Sequence, residues 1–577
     1  MALLGVDVGG TFTDAVLLDD GRIALAKVRT RGRQEESVVE AAGALGARPA
    51  SFRHGTTVAT NALLERKGAR TAFVANQGFE HLLHLGRQTR AHLYRLCEPN
   101  PEPVVPLERC HGVAGRIGPE GVVAPLDLTS LGPVDAEAVA VCLLFSFRDP
   151  SYEHAVAAEL RRRYPQTRVV ASHEVAPEFR EYERASTTAV DAYLGSVAGG
   201  YLERLAGACS EAGLPEPLVM LSSGGVATLR EAAEHPAKAL VSGPAAGVVG
   251  AARIAVKAGC PDAISFDMGG TSTDVCLIED GRAMRAAERT VGGLPVRLPS
   301  VDVHTVGAGG GSIARRDAGG ALLVGPESAG AEPGPACYGF GGTLPTVTDA
   351  NIVLGRLPGQ LAGGLELDAG AAERALGDLG PEDVLASVNA EMLRALRVVS
   401  VDRGRDPADF ALVAFGGAGP LHACALAEEL EIGTILVPDA AGVLSALGLV
   451  ASEERRDHVR SYVVPLDEAS DLPVEGEAEV RYVGQSHELT VPLGGDLAEA
   501  FHRAHEARYG HADRNRQVEL VAVRTADVEP APEFDLPRGE PLRVEGPARV
   551  DLEGATCWVA SGWAGERDGT VLRLTRS

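Results

Sequence analysis

One segment of this chain occurs twice. Asp7–Arg22 reads DVGGTFTDAVLLDDGR and Asp267–Arg282 reads DMGGTSTDVCLIEDGR, with ten of sixteen positions identical at a constant offset of 260. Agreement that far above chance marks a duplicated structural unit. An apolar run precedes each copy, LLGV before Asp7 and AISF before Asp267, as for a buried strand. Gly-Gly follows, then a Thr-containing apolar run, then an acidic pair with glycine and a further short run. The pattern predicts strand, tight turn, strand, turn, strand. Each copy is expected to open one half of the molecule.

The repeated DxGGTxTD also carries chemistry. Gly9, Gly10, Gly269 and Gly270 permit backbone conformations closed to other residues and allow close approach to a ligand. Successive N–H groups in such a turn form an anion-binding nest. Thr11, Thr13, Thr271 and Thr273 are expected to add hydroxyl donors, and Asp7 and Asp267, at strand ends, to hold Mg²⁺ mostly through water. Two such hairpins facing each other would clamp the phosphates of a nucleotide, whereas two ligand-free tight turns are the plainer reading; the duplication favours the clamp. A second element, FGGAGPLHACALAEEL (Phe415–Leu430), follows the strand-like FALVA. Its strand, Gly-rich turn (Gly416, Gly417, Gly419) and helix can seat an adenosine against the helix start, or can serve packing alone.

The net charge of −25 argues against a nucleic-acid surface, which needs clustered Lys and Arg. It suits anionic ligands gripped locally by N–H groups and Mg²⁺. The nine cysteines form no CxxC pair, so neither a structural zinc site nor a disulfide framework is expected. The N-terminus lacks a basic, signal-like region, and no long uninterrupted apolar stretch is present, so the chain is expected in the cytoplasm with no membrane span.

Alternating helix-like segments (33–45, 155–163, 187–205) and strand-like segments (139–146, 169–172) indicate an α/β fold. After about residue 456 the character turns strand-rich. The boundaries expected are 1–180 for a first lobe, 181–455 for a second, and 456–577 for a smaller C-terminal domain.

Two DxGGT hairpins followed by a GGxGP turn resemble the actin, Hsp70 and sugar-kinase superfamily. HGTTVATNALLERKGART (54–71), REYERASTTAVDAYL (180–194), SSGG (222–225), VSGPAAGVVGA (241–251), DVHTVGAGGGSIA (302–314), GAEPGPACYGFGGTLPTVTDANIVLG (330–355) and RYVGQSHELTV (481–491) narrow this. Together they resemble the hydantoinase A / 5-oxoprolinase family over essentially the whole chain. The resemblance implies two actin-like (ribonuclease H-like) lobes with a nucleotide cleft between them. It implies an A component using ATP and Mg²⁺ to open a cyclic amide such as a hydantoin or 5-oxoproline, in complex with a hydantoinase B-type subunit. The family also contains ATP-dependent ketone carboxylases, which is the alternative reading. A nucleotide-switched binding protein of the Hsp70 kind is a third.

Asp267, His54, Asp302 and His304 are the candidate catalytic residues. His54 can polarise or deprotonate a substrate group near neutral pH. Thr57 and Asn61, beside it, are candidate substrate contacts, with helix capping by Thr56 or Thr57 and a polar helix face as the plainer readings. Asp302 and His304 share one face of a strand before the glycine run 307–311, where they can bind a metal, meet a transferred phosphoryl group, or form a buried polar pair. Two ligands do not make a zinc site. Asp349 and Asn351 are further substrate candidates, helix capping being the better account. Cys337 reads as a small buried hydrophobe, and Arg180, Glu181, Glu183 and Arg184 as a charged face or interface without chemistry.

Overall fold

The computed structural model describes residues 2–576 apart from 11, 20, 21, 47, 96, 362, 363, 534–538, 553 and 568. Both copies of the repeat form the expected meander. In the first, β1 (Leu3–Val8), β2 (Phe12–Asp19) and β3 (Arg22–Arg29) run antiparallel. Strand β4 (Ser51–Thr56) then pairs parallel to β1, and β5 (Leu218–Met220) parallel to β4. In the second, β6 (Ala263–Met268), β7 (Thr273–Glu279) and β8 (Arg282–Ala283) repeat the meander. Strands β9 (Ala411–Phe415) and β10 (Thr434–Pro438) repeat the two parallel additions. The order 3-2-1-4-5 is thus the same in both lobes. Period-2 alternation places Leu4, Val6 and Val8 of β1, and Ile264, Phe266 and Met268 of β6, in the core.

Between β4 and β5 the chain forms helix α1 (Val58–Leu64) and a five-stranded sheet of its own, containing Thr71–Asn76, Ala138–Val141 and Arg168–Ala171. It returns through the long helix α2 (Glu181–Glu211). Two helices join the lobes, α3 (Ser242–Lys257) and α5 (Leu444–Val450), with α4 (Gly419–Glu429) between them in sequence. Helices α3 and α5 cross with almost no side-chain spacer: a Cβ on Gly448 would stand 1.9 Å from the Ala246 carbonyl. Among the described residues no helix is long and apolar enough to cross a membrane.

The strands after residue 456 do not build one sheet. Glu454–Pro465, Glu477–Tyr482, Leu489–Pro492 and Val518–Glu529 continue the first lobe's sheet beyond β5, and Leu542–Glu545, Trp563–Arg567 and Val571–Arg576 continue the second beyond β10. Each set satisfies a strand edge that the lobe would otherwise leave open. The first set keeps a small core around Val480, Tyr482, Phe501 and Leu520.

A buried ion network ties three parts of the chain together. Glu178, just before α2, accepts hydrogen bonds from Arg297 and, at 2.8 Å, from Arg524. Glu479 accepts from the same two guanidiniums at 3.2 and 3.0 Å. Beside it Arg180 grips both oxygens of Glu488 at 2.8 and 2.7 Å, so the REYER and QSHE segments hold each other as an interface.

Candidate functional site

The two hairpin turns close with the same bond, Gly9 N to Phe12 O and Gly269 N to Ser272 O, each 3.0 Å. Gly10 and Gly270 lie exposed with open space around them, and Thr271 is exposed too. Thr11 lies outside the described residues. The remaining threonines turn inward and brace the turns instead of reaching outward. Thr13 is fully buried with its hydroxyl 3.0 Å from that of Thr30, which donates to Gly9 O at 2.9 Å. Thr273 is fully buried and donates to Ala308 O at 2.6 Å. Both alternate with an aspartate along the strand, and that alternation sends them to the opposite face. The glycine run 307–311 packs on the second turn, where Gly310 and Gly311 donate to the carbonyls of Gly269 and Gly270 at 3.0 and 2.7 Å.

Register makes each motif's two aspartates direct cross-strand neighbours: Asp7 faces Asp14, and Asp267 faces Asp274. Asp267 feels Asp274, Asp7 and Asp14 together, so the hairpins of the two lobes converge. Enclosure and like charge push Asp7 up to about 7 and Asp267 up to about 8, and burial raises Asp274 to about 6 and Asp14 as well. Lys27 offsets part of this by donating to Asp14 at 2.7 Å, and it also reaches the second lobe's Gly442 carbonyl at 3.2 Å. Asp7 Oδ1 is shielded from solvent and has no hydrogen-bond partner among the described residues.

A glycine lies against the first aspartate of each lobe: Gly55, on β4, beside Asp7, and Gly416, just past the end of β9, beside Asp267. Helix starts complete the arrangement. A Cβ added to Gly243, in the first turn of α3, would meet Asp7 Oδ1 at 3.6 Å, and Ala418, before α4, donates to Met268 O at 3.0 Å. Their N-termini bring positive dipole ends toward the two aspartates. Val241, before α3, takes φ +59°, a strained conformation for a β-branched residue. Thr60 Oγ1 holds it there by accepting from Val241 N at 2.8 Å.

Converging carboxylates, an unpartnered buried oxygen and glycine-lined walls fit a hydrated Mg²⁺ held together with phosphates. Among the described residues no three His, Cys, Asp or Glu side chains lie close enough to hold an ion by themselves. Of the GGAG residues, Gly417 is exposed, while Gly416 and Gly419 pack against the strand that bears Asp267.

The other candidates scatter. His54 is fully buried inside the first lobe: Nδ1 donates to Val6 O at 3.1 Å, so Nε2 is the acceptor for Tyr201 OH at 2.8 Å. Burial pushes its pKa down to about 4. Both nitrogens are engaged in the core, which corrects the expectation of a catalytic imidazole. Asn61 donates to Thr57 Oγ1 at 3.3 Å on the partly exposed face of α1. Asp302 pairs with Arg403, and His304 lies beside β7, opposite Val275. Asp349 is fully buried and accepts from Thr346, Ala336 and Cys337, so it caps its helix and fixes the GPACYG loop, which leaves no oxygen turned to a substrate. Asn351 is buried, with Nδ2 donating to Val347 O. Cys337 is fully buried and its thiol is pushed up by burial. The sequence reading missed Asp14, Asp274, Lys27, Gly55 and Gly243. The second aspartate of each DxGGTxTD was visible in the repeat, but the others come together only through the fold.

Residues 184–458 match the family model described as Hydantoinase/oxoprolinase, and residues 3–164 match Hydantoinase/oxoprolinase N-terminal region. The chain is 35% identical to the caprolactamase subunit alpha of Pseudomonas jessenii, over 92% of this chain and 88% of that one. It is also 35% identical to the acetophenone carboxylase gamma subunit of Aromatoleum aromaticum, over 77% and 67% of the two chains. The crystal structure of the ATP-dependent caprolactamase from Pseudomonas jessenii superposes with a TM-score of 0.88 at 30% identity, covering both chains in full.

Proposed function

The chain belongs to the hydantoinase/oxoprolinase family, and from that premise we propose that it is the ATP-using subunit of an enzyme that opens cyclic amides. The observation that carries this is the convergence of Asp7 and Asp267 from two duplicated hairpins. The relatives named as a caprolactamase and its alpha subunit support the substrate class and a multi-subunit assembly. The partner is a hydantoinase B-type subunit.

A lactam carbonyl resists water because the nitrogen feeds electrons into it. Attack of the amide oxygen on the γ-phosphorus of ATP releases ADP and leaves the carbon electrophilic. One water then opens the C–N bond to give an amine and an acyl phosphate, and a second releases phosphate. Such chemistry asks the protein mainly for alignment and charge neutralisation. Exposed Gly10 and Gly270 turns, with the N-termini of α3 and α4, supply donors to phosphate oxygens. Asp7 and Asp267 would hold Mg²⁺ through water, and the cation would neutralise charge on the phosphates. His54, through β1 and Tyr201, fixes the strand that carries Asp7.

Identity to the acetophenone carboxylase gamma subunit supports a second reading, ATP-dependent carboxylation of a ketone. Phosphate release by the chain together with its partner subunit separates the two. Release stimulated by a lactam, hydantoin or 5-oxoproline, with a ring-opened product, is the expected result. Release that requires ketone plus bicarbonate would replace the amide reading by the carboxylase one.

A further inference from the structure

The duplicated hairpins are unequal in their cations. In the first lobe Lys27 is spent: it bonds Asp14 and the Gly442 carbonyl. In the second lobe the carboxylate equivalent to Asp14, that of Asp274, takes the neutral Thr305 hydroxyl instead. The cation on that side is Arg289, which comes from the hairpin Arg289–Val291/Leu294–Val296. This hairpin leaves the second lobe and packs against α1 and α2 of the first. It brings Arg289 to the side of the second lobe that bears Asp274.

Arg289 arrives there without a matched partner. Among the described residues its Nε and Nη1 are shielded from solvent and make no hydrogen bond, and Nη2 has only a long 3.5 Å contact to Val303 O. Asp302, the other carboxylate whose field it feels, is already paired with Arg403. An enclosed guanidinium with idle donors is costly unless a ligand completes it. The planar fork of an arginine suits two oxygens of one tetrahedral anion.

We propose that Arg289 is a phosphate-binding residue of the second lobe, which grips the phosphoryl group as it passes between nucleotide and substrate. The inference rests on the ATP-dependent reading above and adds to it the residue that receives the transferred group.

Calorimetric titration of the full-length chain with inorganic phosphate, with and without ADP and Mg²⁺, tests it. Wild type is expected to bind phosphate. Arg289→Gln should weaken that by on the order of tenfold or more, and Arg289→Lys by less, since charge survives but the fork does not. ADP affinity should change by less than about twofold in both, since ADP lacks the group that Arg289 grips. If Arg289→Gln also loses the preference of wild type for ATP over ADP, the γ-phosphate is held before transfer. If only phosphate binding falls, the residue holds the group after transfer. Equal phosphate affinity in wild type and Arg289→Gln, or no phosphate binding by wild type, overturns the proposal. Failure of wild type to bind ADP would instead count against the nucleotide reading, and the nucleotide-free titration would still decide Arg289. Should Arg289→Gln not fold, as judged by its thermal midpoint, undiminished phosphate affinity in Arg289→Lys overturns the assignment of a two-oxygen grip.

Discussion

Gly55 lies so close to Asp7 that a Cβ there would stand 2.4 Å from Asp7 Oδ1, and Gly416 bears the same relation to Asp267 at 2.3 Å. The two contacts are offset by one residue: Asp7 is paired in register with Gly55 itself on β4, whereas Asp267 is paired with Phe415, and Gly416 follows just past the end of β9. Each aspartate carboxylate thus lies against a glycine that has no room for a side chain.

Gly55→Ala is therefore expected to push the Asp7 carboxylate aside or spread β1 from β4, at a cost of about 1–3 kcal/mol. Gly416→Ala should cost more, because φ is +79° there and a Cβ is strained in that region besides. Urea unfolding measures the loss. Thermal stabilisation by ATP with Mg²⁺ should shrink in both variants, and an undiminished shift would separate these glycines from the nucleotide site.

The aspartate cluster gives the ligand-free chain a pH signature. Asp7 and Asp267 titrate near 7 and 8 when folded but near their ordinary value of 3.8 when unfolded. Between those limits the folded state binds more protons, so stability falls as pH rises. The loss should run from about pH 4 to about pH 8. Asp267→Asn removes one of the contributors, so its thermal midpoint should gain on wild type as pH is raised through that window and converge with it at the acid end. The same substitution should abolish the Mg²⁺-dependent part of ATP stabilisation, as should Asp7→Asn. Parallel midpoint curves for wild type and Asp267→Asn would show that the carboxyl is ionised like an exposed one.

Much of this geometry was legible in the repeat. Sixteen residues copied at one offset carried the turn, both aspartates and the alternation that separates Thr13 from Asp14. Thr13 and Thr273 could have been assigned inward on that period alone. Local helices near 34–44, 151–163 and 181–211 also follow from apolar spacing. What sequence could not supply is pairing across distance. Strand β4 meets β5 some 160 residues on, after an entire inserted sheet, and Arg180 meets Glu488. His54 shows the same limit: a histidine before Gly-Thr-Thr reads as chemistry until Val6 and Tyr201 close around it.

That enclosure makes a distinct prediction for His54. Its folded pKa of about 4 lies below the ordinary value of 6.5, so the unfolded chain takes up the proton first and stability declines as pH falls from about 6.5 to about 4. The pH–rate profile near neutrality should carry no limb from His54. Tyr201→Phe, which strands Nε2 without its donor, should destabilise by about 1–3 kcal/mol while leaving the shape of that profile unchanged. A shift of a kinetic limb in Tyr201→Phe would return His54 to the chemistry.

The network around Glu178 decides whether the excursion carrying Arg289 is held in place. Glu178, 1% exposed, is shared by Arg297 of that excursion and Arg524 of the C-terminal strands. Glu178→Gln keeps the shape but leaves two buried guanidiniums with Glu479 as their main counter-charge. Breaking a buried pair in this way costs about 3–5 kcal/mol, far more than the pair contributes relative to an apolar replacement. Arg297 joins the excursion to the body of the protein, so the damage should be local as well as global. Proteolysis of native Glu178→Gln is expected to accelerate within residues 283–301 before the lobes unfold. Mapping the first cleavage by mass spectrometry checks this, and a first cut elsewhere, at an unchanged rate within 283–301, would show that the excursion is held by its apolar packing on α1 and α2 instead.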